Sequence, residues 1–358
     1  MSRVFMKGCE AMAEAAVRAG CRFFAGYPIT PQNEIPEYMS RRLPEVGGVF
    51  VQGESEVASI SMVYGAASGG TRSMTSSSSP GIALKSEGIS YCAAARIPMV
   101  YINVARGGPG VGSIQPAQMD YMQATKASGN GGFQMRVLAP STVQEAVDFV
   151  YRAFDLADAD RNPVLVLADG VIGTMIEPVE LPEQRSEEEV AAIKAGKRSW
   201  ACVGHELNYA KRSWIEPGHW STLDMQKCNE DAEALYKSWT PEYETRDLED
   251  AEVVLTAYGI SARIAESAAA LLRKEGIKVG LIRPITVNPF PYEAYDKIDY
   301  SKVKAVLDVE MSIPAQFVKD VEVAVKDRCP IRTCLCSGGN IMSREAIVES
   351  VRKIMVGN

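Results

Sequence analysis

Residues 49–70 read VFVQGESEVASISMVYGAASGG. The apolar quartet VFVQ suits a short strand, and GESE after it makes an acidic turn. SEVASISMVYGAASGG then suits a helix whose Ala, Ser and Gly content lets it pack closely against a sheet. The same unit recurs on both sides. Upstream, CEAMAEAAVRAG (9–20) reads as a helix closed by Gly20, a favoured C-terminal stop, and CRFFAG (21–26) as a buried strand. Downstream, RSMT (72–75) leads into SSSSPG (76–81) and another helix, and PMVYINVA (98–105) is a strand ending in the glycine-rich RGGPGVG (106–112). MRVLAP (135–140) precedes the amphipathic helix STVQEAVDFVYRAFDLAD (141–158), which Ser141 is placed to cap, and PVLVLADG (163–170) closes the series. Strands alternating with helices of this length predict a parallel sheet covered on both faces.

The rhythm breaks after residue 180. Residues 181–249 are rich in Glu, Lys, Trp and Pro and predict one or two helices in a connecting segment. Trp200, Trp214, Trp220 and Trp239 all fall here, and aromatics at that density are foreign to a disordered linker. They are expected to pack on a domain face or on a partner subunit. Alternation resumes from Asp250: AEVVLTAYG, KVGLIRPIT, VKAVLDVE and IRTCLC read as strands. SARIAESAAALLRKEG, a segment from about Ala315 to Asp327, and SREAIVESVRKIM read as helices. The expected organisation is therefore an α/β domain over 1–180, the connection over 181–249, and a smaller α/β domain over 250–358.

Composition narrows the function classes. The 358 residues are 46% hydrophobic and 23% charged, ordinary values for a chain with a substantial core. A formal net charge of -7 without a dense Lys/Arg stripe argues against a nucleic-acid partner. No stretch approaches the roughly 20 apolar residues of a membrane span. Glu10, Glu14 and Arg18 interrupt the N-terminal segment, so it does not read as a signal peptide, and a cytoplasmic location is expected. Of the eight cysteines, the tightest grouping is Cys329-x4-Cys334-x-Cys336, which lacks the spacing of a four-cysteine iron-sulfur run. Reduced and mostly buried cysteines are expected instead. With only His205 and His219, histidine catalysis has little material.

In an open parallel sheet, ligands bind beyond the carboxyl ends of the strands. Four unusual loops are expected at those ends: GYPITPQNE (26–34), GESE (53–56), SSSSPG and RGGPGVG. Each has two readings. Thr30-Pro31 suits either a helix N-cap with proline at the first helical position, in which case Pro36 would kink the helix, or a rigid ligand wall. Glu54 and Glu56 suit either helix N-terminal acids or a buried acid with a task. Ser76 to Ser79 suit a polar turn or a polar ligand lining. Arg106 suits a surface ion pair, worth little, or a bidentate grip on a carboxylate, with Gly107 and Gly108 allowing close approach. No GxxxxGK[ST] or GxGxxG phosphate cradle occurs, nor a Gly-Asp-Gly run able to hold magnesium and a diphosphate.

Taken together, these loops resemble the alpha subunit of the thiamine-diphosphate-dependent 2-oxoacid:ferredoxin oxidoreductases. The matching stretches are GYPITPQNEIPEYMS (26–40), GESEVASISMVYGAASGG (53–70), TSSSSPGIALKSEGISY (75–91) and ARGGPGVGSIQPAQMDY (105–121). LIRPITVNPFP (281–291) and VLDVEMS (306–312) match in the second domain. The form YPITPQNE most resembles the branched-chain, 3-methyl-2-oxobutanoate branch, with the 2-oxoglutarate branch as the near alternative and aromatic oxoacids also open.

The resemblance implies a domain for the cofactor's aminopyrimidine ring followed by a transketolase C-terminal-like domain. Glu56 matches the acid that hydrogen-bonds pyrimidine N1′ and favours the imino tautomer, so the cofactor supplies its own base and electron sink. Thr30 matches a threonine that contacts substrate near its reacting oxygens, and Arg106 an arginine that binds the substrate carboxylate. Tyr27 and Pro28 belong to the pocket wall, and Ser79 to the cofactor-lining serine loop. The reaction implied is oxidative decarboxylation to acyl-coenzyme A and CO2, with electrons passed through iron-sulfur clusters to ferredoxin. The chain itself carries no metal-ligand set, so a beta subunit must bring the diphosphate and Mg2+ half. Clusters of the [4Fe-4S] type belong to partner subunits, and gamma and ferredoxin-like delta subunits are usual in the branched-chain type. Competing readings are a non-redox thiamine enzyme subunit, a scaffold that has lost its chemistry, and a flavodoxin-like electron carrier. Retention of Glu56, Thr30 and Arg106 counts against loss.

Overall fold

The computed structural model describes residues 3–203 and 225–357. The first part runs β1 (Val4–Lys7), α1 (Gly8–Arg18), β2 (Phe23–Gly26), α2 (Glu34–Glu45), β3 (Val49–Gln52), α3 (Glu56–Ser68), β4 (Ser73–Ser77), α4 (Ser79–Ala94) and β5 (Met99–Gly107). It continues with β6 (Ser113–Pro116), α5 (Tyr121–Thr125), β7 (Arg136–Leu138), α6 (Val143–Asp160), β8 (Pro163–Asp169), α7 (Gly170–Thr174) and β9 (Ile176–Val179). Strands β7-β8-β5-β4-β2-β3 lie side by side in that order, every neighbouring pair parallel. Three strands escape the alternation rule: β1 pairs antiparallel with β9 in a small separate ribbon, and β6 folds back on the end of β5.

The sequence explains the layers. Helix α1 is nearly all small or apolar, and residues Cys9 to Val17 other than Glu10 are buried beside α2 and α6. Phe24 is fully buried in β2 and stacks on Phe50 of β3, ring centroids 5.7 Å apart; truncating such a ring costs about 3–5 kcal/mol. On the other face α3 and α4 run close together, because Gly88 has no side chain: a Cβ there would lie 2.5 Å from Ile60 Cγ2.

The second part comprises α8 (Glu187–Gly196), α9 (Met225–Ser238), β10 (Tyr243–Arg246), β11 (Val253–Thr256), α10 (Gly259–Lys274), β12 (Val279–Pro284) and β13 (Thr286–Asn288). After it come β14 (Ala305–Glu310), α11 (Val318–Val325), β15 (Ile331–Leu335) and α12 (Arg344–Met355). The second sheet has the order β10-β12-β11-β14-β15, parallel except for β10. The segment expected as one strand over KVGLIRPIT instead divides. Its end becomes β13, which pairs antiparallel with β7 and so joins the first sheet.

Buried polar groups weld the two sheets. Asp169 accepts from Val171 N and Ile172 N, capping α7, and from Ile260 N of α10 at 2.9 Å. The Gln118 amide donates to Tyr258 O and accepts from Ser261 Oγ and Met311 N. Gly259 fits between them at φ 57°, since a Cβ would lie 2.9 Å from Asp169 Oδ2 and 2.8 Å from Gln118 Nε2. A side chain there is excluded both by the left-handed backbone and by the crowding.

Three local expectations need correction. Thr142, not Ser141, caps α6: its side chain accepts from Glu145 N, while Ser141 binds the Glu145 carboxylate through N and Oγ. Thr30-Pro31 is not the entry of α2, which starts at Glu34 after Asn33, and Pro36 falls in the first turn, where amides have no intrahelical partner anyway. The four serines are no turn: Ser76 and Ser77 end β4, Ser78 precedes the helix and Ser79 begins it. In the connection, Trp239 is buried under Arg136, 5.0 Å from its ring, and Arg161 lies over Trp200, so both pack on the first domain. Trp214, Trp220 and both histidines lie outside the described residues. Cys9, Cys21, Cys92 and Cys334 are buried, Cys202 is exposed and the others are intermediate. No helix among the described residues is long and apolar enough to cross a membrane.

Candidate active site

Because β2, β3, β4 and β5 are parallel neighbours, the loops after Gly26, Gln52, Ser77 and Gly107 emerge at one rim. Cross-links between them build the site. Gln32, fully buried, donates to Tyr27 O and accepts from Ser76 Oγ at 2.5 Å, which ties the proline loop to β4. Arg106, buried in the end of β5, reaches two loops: Nη1 donates to Thr30 O at 2.7 Å and Nη2 to Val111 O at 3.0 Å. Its Nε is buried without a partner. Tyr27, Pro28 and Thr30 remain exposed on the rim.

The second half of the site sits where α3 and α4 begin. Ser55 caps α3 by accepting from Ala58 N, and Glu56 is the first helical residue, its side chain 6% exposed. Among the described residues no donor hydrogen-bonds its carboxylate. Across from it Gly81 leaves room that no other residue would: a Cβ there would stand 2.0 Å from Ser77 Oγ and 2.7 Å from Glu56 Oε1. The hydroxyls of Ser77 and Ser78 are buried without partners in the same corner. One turn further along α4, Lys85 is fully buried and donates to Thr75 Oγ1 at 3.1 Å.

Ser79 joins the two halves. Its Oγ donates to Asp120 Oδ2 at 2.5 Å and accepts from Arg106 N at 2.9 Å, and its N donates to Asn103 Oδ1. Asn103 Nδ2 in turn donates to Asp120 Oδ2 at 2.8 Å. Burial pushes the Asp120 carboxyl above its ordinary range, against the hydrogen bonds of Ser79 and Asn103 and the charge of Arg106, which favour the anion. Residues 77–81 thus connect Glu56 on one side with Arg106 and Thr30 on the other.

Comparison with known proteins decides the family. Residues 14–229 match the model of the pyruvate flavodoxin/ferredoxin oxidoreductase thiamine-diphosphate-binding domain, and residues 251–347 match core domain II of pyruvate:ferredoxin oxidoreductase. The chain belongs to the pyruvate flavodoxin/ferredoxin oxidoreductase family. Within this oxidoreductase family it is 42% identical over 357 residues to the ketoisovalerate oxidoreductase subunit VorB of Methanothermobacter marburgensis, covering 99% of this chain and 98% of the relative. It is 36% identical to the 2-oxoglutarate synthase subunit KorA of Methanocaldococcus jannaschii, covering 97% and 98%. A solved 2-oxoglutarate:ferredoxin oxidoreductase from Magnetococcus marinus, with 2-oxoglutarate, coenzyme A and succinyl-CoA bound, superposes with a TM-score of 0.81 at 25% identity. The match covers 99% of this chain and 65% of that one.

Of the residues expected from sequence, Thr30, Arg106 and Ser79 share one hydrogen-bonded network. Glu56 stands across the start of α4 from it, and Tyr27 and Pro28 flank Thr30. The reading of Ser79 as a ligand-lining hydroxyl gains a second side, since Asp120 and Arg106 N already occupy its oxygen. Asn103, Asp120, Gln32, Gly81 and Lys85 escaped sequence reasoning. Only Lys85 carried a signal: a lone cation within the apolar face of GIALKSEG.

Proposed function

We propose that this chain supplies the aminopyrimidine-binding half of a thiamine diphosphate site in a 2-oxoacid:ferredoxin oxidoreductase. The observation that carries the reading is Glu56: a buried carboxylate at a helix start, without a donor among the described residues, facing a glycine-cleared corner on the same rim as Arg106. Buried polar groups are normally satisfied, and unpaired Glu56, Ser77 and Ser78 together fit a ring bearing nitrogen donors and acceptors. Thiamine diphosphate, when bound, supplies the nucleophilic carbon and the electron sink that decarboxylation needs. Glu56 accepts the hydrogen bond of the pyrimidine nitrogen and orients the ring. Arg106 spends two of a guanidinium's five N–H donors on Thr30 O and Val111 O, which leaves three for a substrate carboxylate. Thr30, held by that same contact, would lie beside the keto oxygen.

We assign the diphosphate and Mg2+ half to a beta subunit, a reading supported by relatives that are themselves named as subunits of such oxidoreductases. Gamma and ferredoxin-like delta subunits carrying [4Fe-4S] clusters complete the path to ferredoxin, and coenzyme A takes the acyl group. For the substrate we favour a branched aliphatic 2-oxoacid. The VorB relative supports this, as does the makeup of the rim: exposed Tyr27 and Val111 lie in its loops, exposed Val57 and Ile114 lie at the start of the elements that follow them, and Arg106 is the only cation in the four loop sequences. The KorA relative keeps 2-oxoglutarate as the second reading, with the second cation then coming from the partner. The test is to co-purify the complex anaerobically and compare 3-methyl-2-oxobutanoate, 2-oxoglutarate and an aryl oxoacid, with coenzyme A and a one-electron acceptor. Preference for the branched acid is expected, and no oxidation of any of them by a cluster-loaded complex defeats the reading.

A further inference from the structure

Asp120 stands at the N-cap position of α5, where an aspartate ordinarily accepts from the amides of the first turn. Its side chain makes no such bond. Oδ2 instead accepts from Ser79 Oγ at 2.5 Å and from Asn103 Nδ2 at 2.8 Å. Those two side chains grip the rim end of β5. Asn103 lies in that strand, one turn of the pleat before Arg106, and its Oδ1 accepts from Ser79 N at 3.1 Å. Ser79 Oγ accepts from Arg106 N at 2.9 Å. Asp120 therefore closes a ring of bonds that runs from the start of α4 to the main chain of Arg106.

The neighbours of Asp120 are tied the other way. Gln118 N donates to Met311 O at 2.9 Å. Met119 O accepts from Gln316 Nε2 at 2.6 Å and Met122 N donates to Gln316 Oε1 at 2.9 Å, so one side chain just before α11 brackets Asp120. Tyr121 OH donates to Asp320 Oδ2 of α11 at 2.6 Å. Within 118–122, each neighbour bonds to the second part of the chain, and Asp120 alone turns its side chain to the rim.

We propose that Asp120 is a positioning residue, by which the second part of the chain sets the main chain of Arg106 and with it the grip on the substrate carboxylate. This rests on the role given to Arg106 above. A purely structural role is the poorer account, because an aspartate serving its own helix would cap α5, the contact it forgoes. Both bonds converge on one oxygen, so the position requires a single fixed acceptor.

The test is steady-state kinetics of the anaerobically purified complex with 3-methyl-2-oxobutanoate, or with 2-oxoglutarate should that be the acid turned over. Asp120→Ala should raise KM about tenfold, within the range for residues that act on a ligand through another. Asp120→Asn keeps an acceptor oxygen and should stay within about threefold of the native KM. Gln316→Ala should raise KM about threefold, yet add nothing in the Asp120→Ala background, because its influence passes through Asp120. A merely structural role lowers the fraction of active complex, and so the apparent kcat, and leaves KM at its native value. An unchanged KM in Asp120→Ala overturns the inference. So does a KM in Asp120→Asn as high as in Asp120→Ala, or a Gln316→Ala effect that multiplies in the double variant. Should Asp120→Ala fail to assemble, Gln316→Ala decides: a raised KM supports the inference and an unchanged one overturns it. Arg106→Ala separates the two levels. If it leaves KM unchanged, the reading of Arg106 has failed and the inference with it. If it raises KM while Asp120→Ala does not, only the role of Asp120 has failed.

Discussion

The guanidinium of Arg106 donates to the main-chain oxygen of Thr30 at 2.7 Å, so the residue proposed to hold a substrate carboxylate also holds the residue proposed to lie beside the keto group. A second bond to Val111 O brings the glycine loop into the same grip. In the proposed site, substrate binding and loop geometry are therefore coupled through one side chain.

Arg106→Ala should raise KM for the 2-oxoacid by about tenfold to a hundredfold, the range for losing hydrogen bonds to a charged group. It should lower kcat as well, since Thr30 loses its anchor. Arg106→Lys keeps the charge but reaches at most one of the two carbonyls and should fall between. Steady-state kinetics of the complex check this; an unchanged KM in the alanine variant removes Arg106 from the substrate site.

Glu56→Gln should leave the subunits assembled and cut kcat by about a hundredfold or more, the lower range for removing an essential proton-handling group. Assembly by size-exclusion chromatography and turnover on the same sample give both readings. Wild-type turnover contradicts the assignment.

Gly81→Ala should destabilise the chain by about 1–3 kcal/mol, as overpacking does, and depress activity together with it. The added Cβ meets Ser77 Oγ at 2.0 Å and Glu56 Oε1 at 2.7 Å. Gly65→Ala on α3 is the control: nothing lies within 4 Å of its Cβ position, and a helical Gly→Ala change is neutral to stabilising by up to about 1 kcal/mol. Equal melting temperatures for the two variants contradict the packing argument.

Asp169, buried where the two sheets meet, has its carboxyl raised to about 6 by desolvation, against the backbone N–H bonds it accepts. Its folded value lies above its unfolded value. Its contribution is therefore full below the unfolded pKa of about 3.9 and is lost as pH rises through about 6, on the order of 3 kcal/mol in all. Asp169→Asn keeps an acceptor for Ile260 N and should flatten the melting temperature between pH 4 and about 8 relative to the native chain. A variant with the native pH dependence assigns that dependence to other groups.

The parallel core and the rim were legible because their signals are local. Short strands each followed by a helix specify β2, β3 and β4, a long apolar run specifies β5, and direction along a parallel sheet then places all four loops on one side. The short pairings were not legible. β13 pairs with β7, some 150 residues away in sequence, through three residues each, and three residues carry no periodicity to read. The β1–β9 ribbon likewise joins two short strands, four residues each, from distant parts of the sequence. At the site, Glu56 and Arg106 stand out in odd loops. Asp120 and Asn103 act through Ser79 from the turn before α5 and from a buried strand, where an Asp or Asn looks like any other. Lys85 is a different case: its position inside an apolar face conflicts with local preference, and such conflicts tend to mark function.

We propose that a complex containing this chain decarboxylates a branched 2-oxoacid oxidatively. Carboxyl-labelled 3-methyl-2-oxobutanoate, given to the anaerobically purified complex with coenzyme A and oxidised ferredoxin, measures it directly. Labelled CO2 should be released together with acyl-coenzyme A and two reduced ferredoxin equivalents, and release should require both coenzyme A and the acceptor for sustained turnover. Labelled CO2 released with no reduction of the acceptor would mark a non-redox decarboxylase, and no release from an intact, cofactor-loaded complex would contradict the assignment altogether.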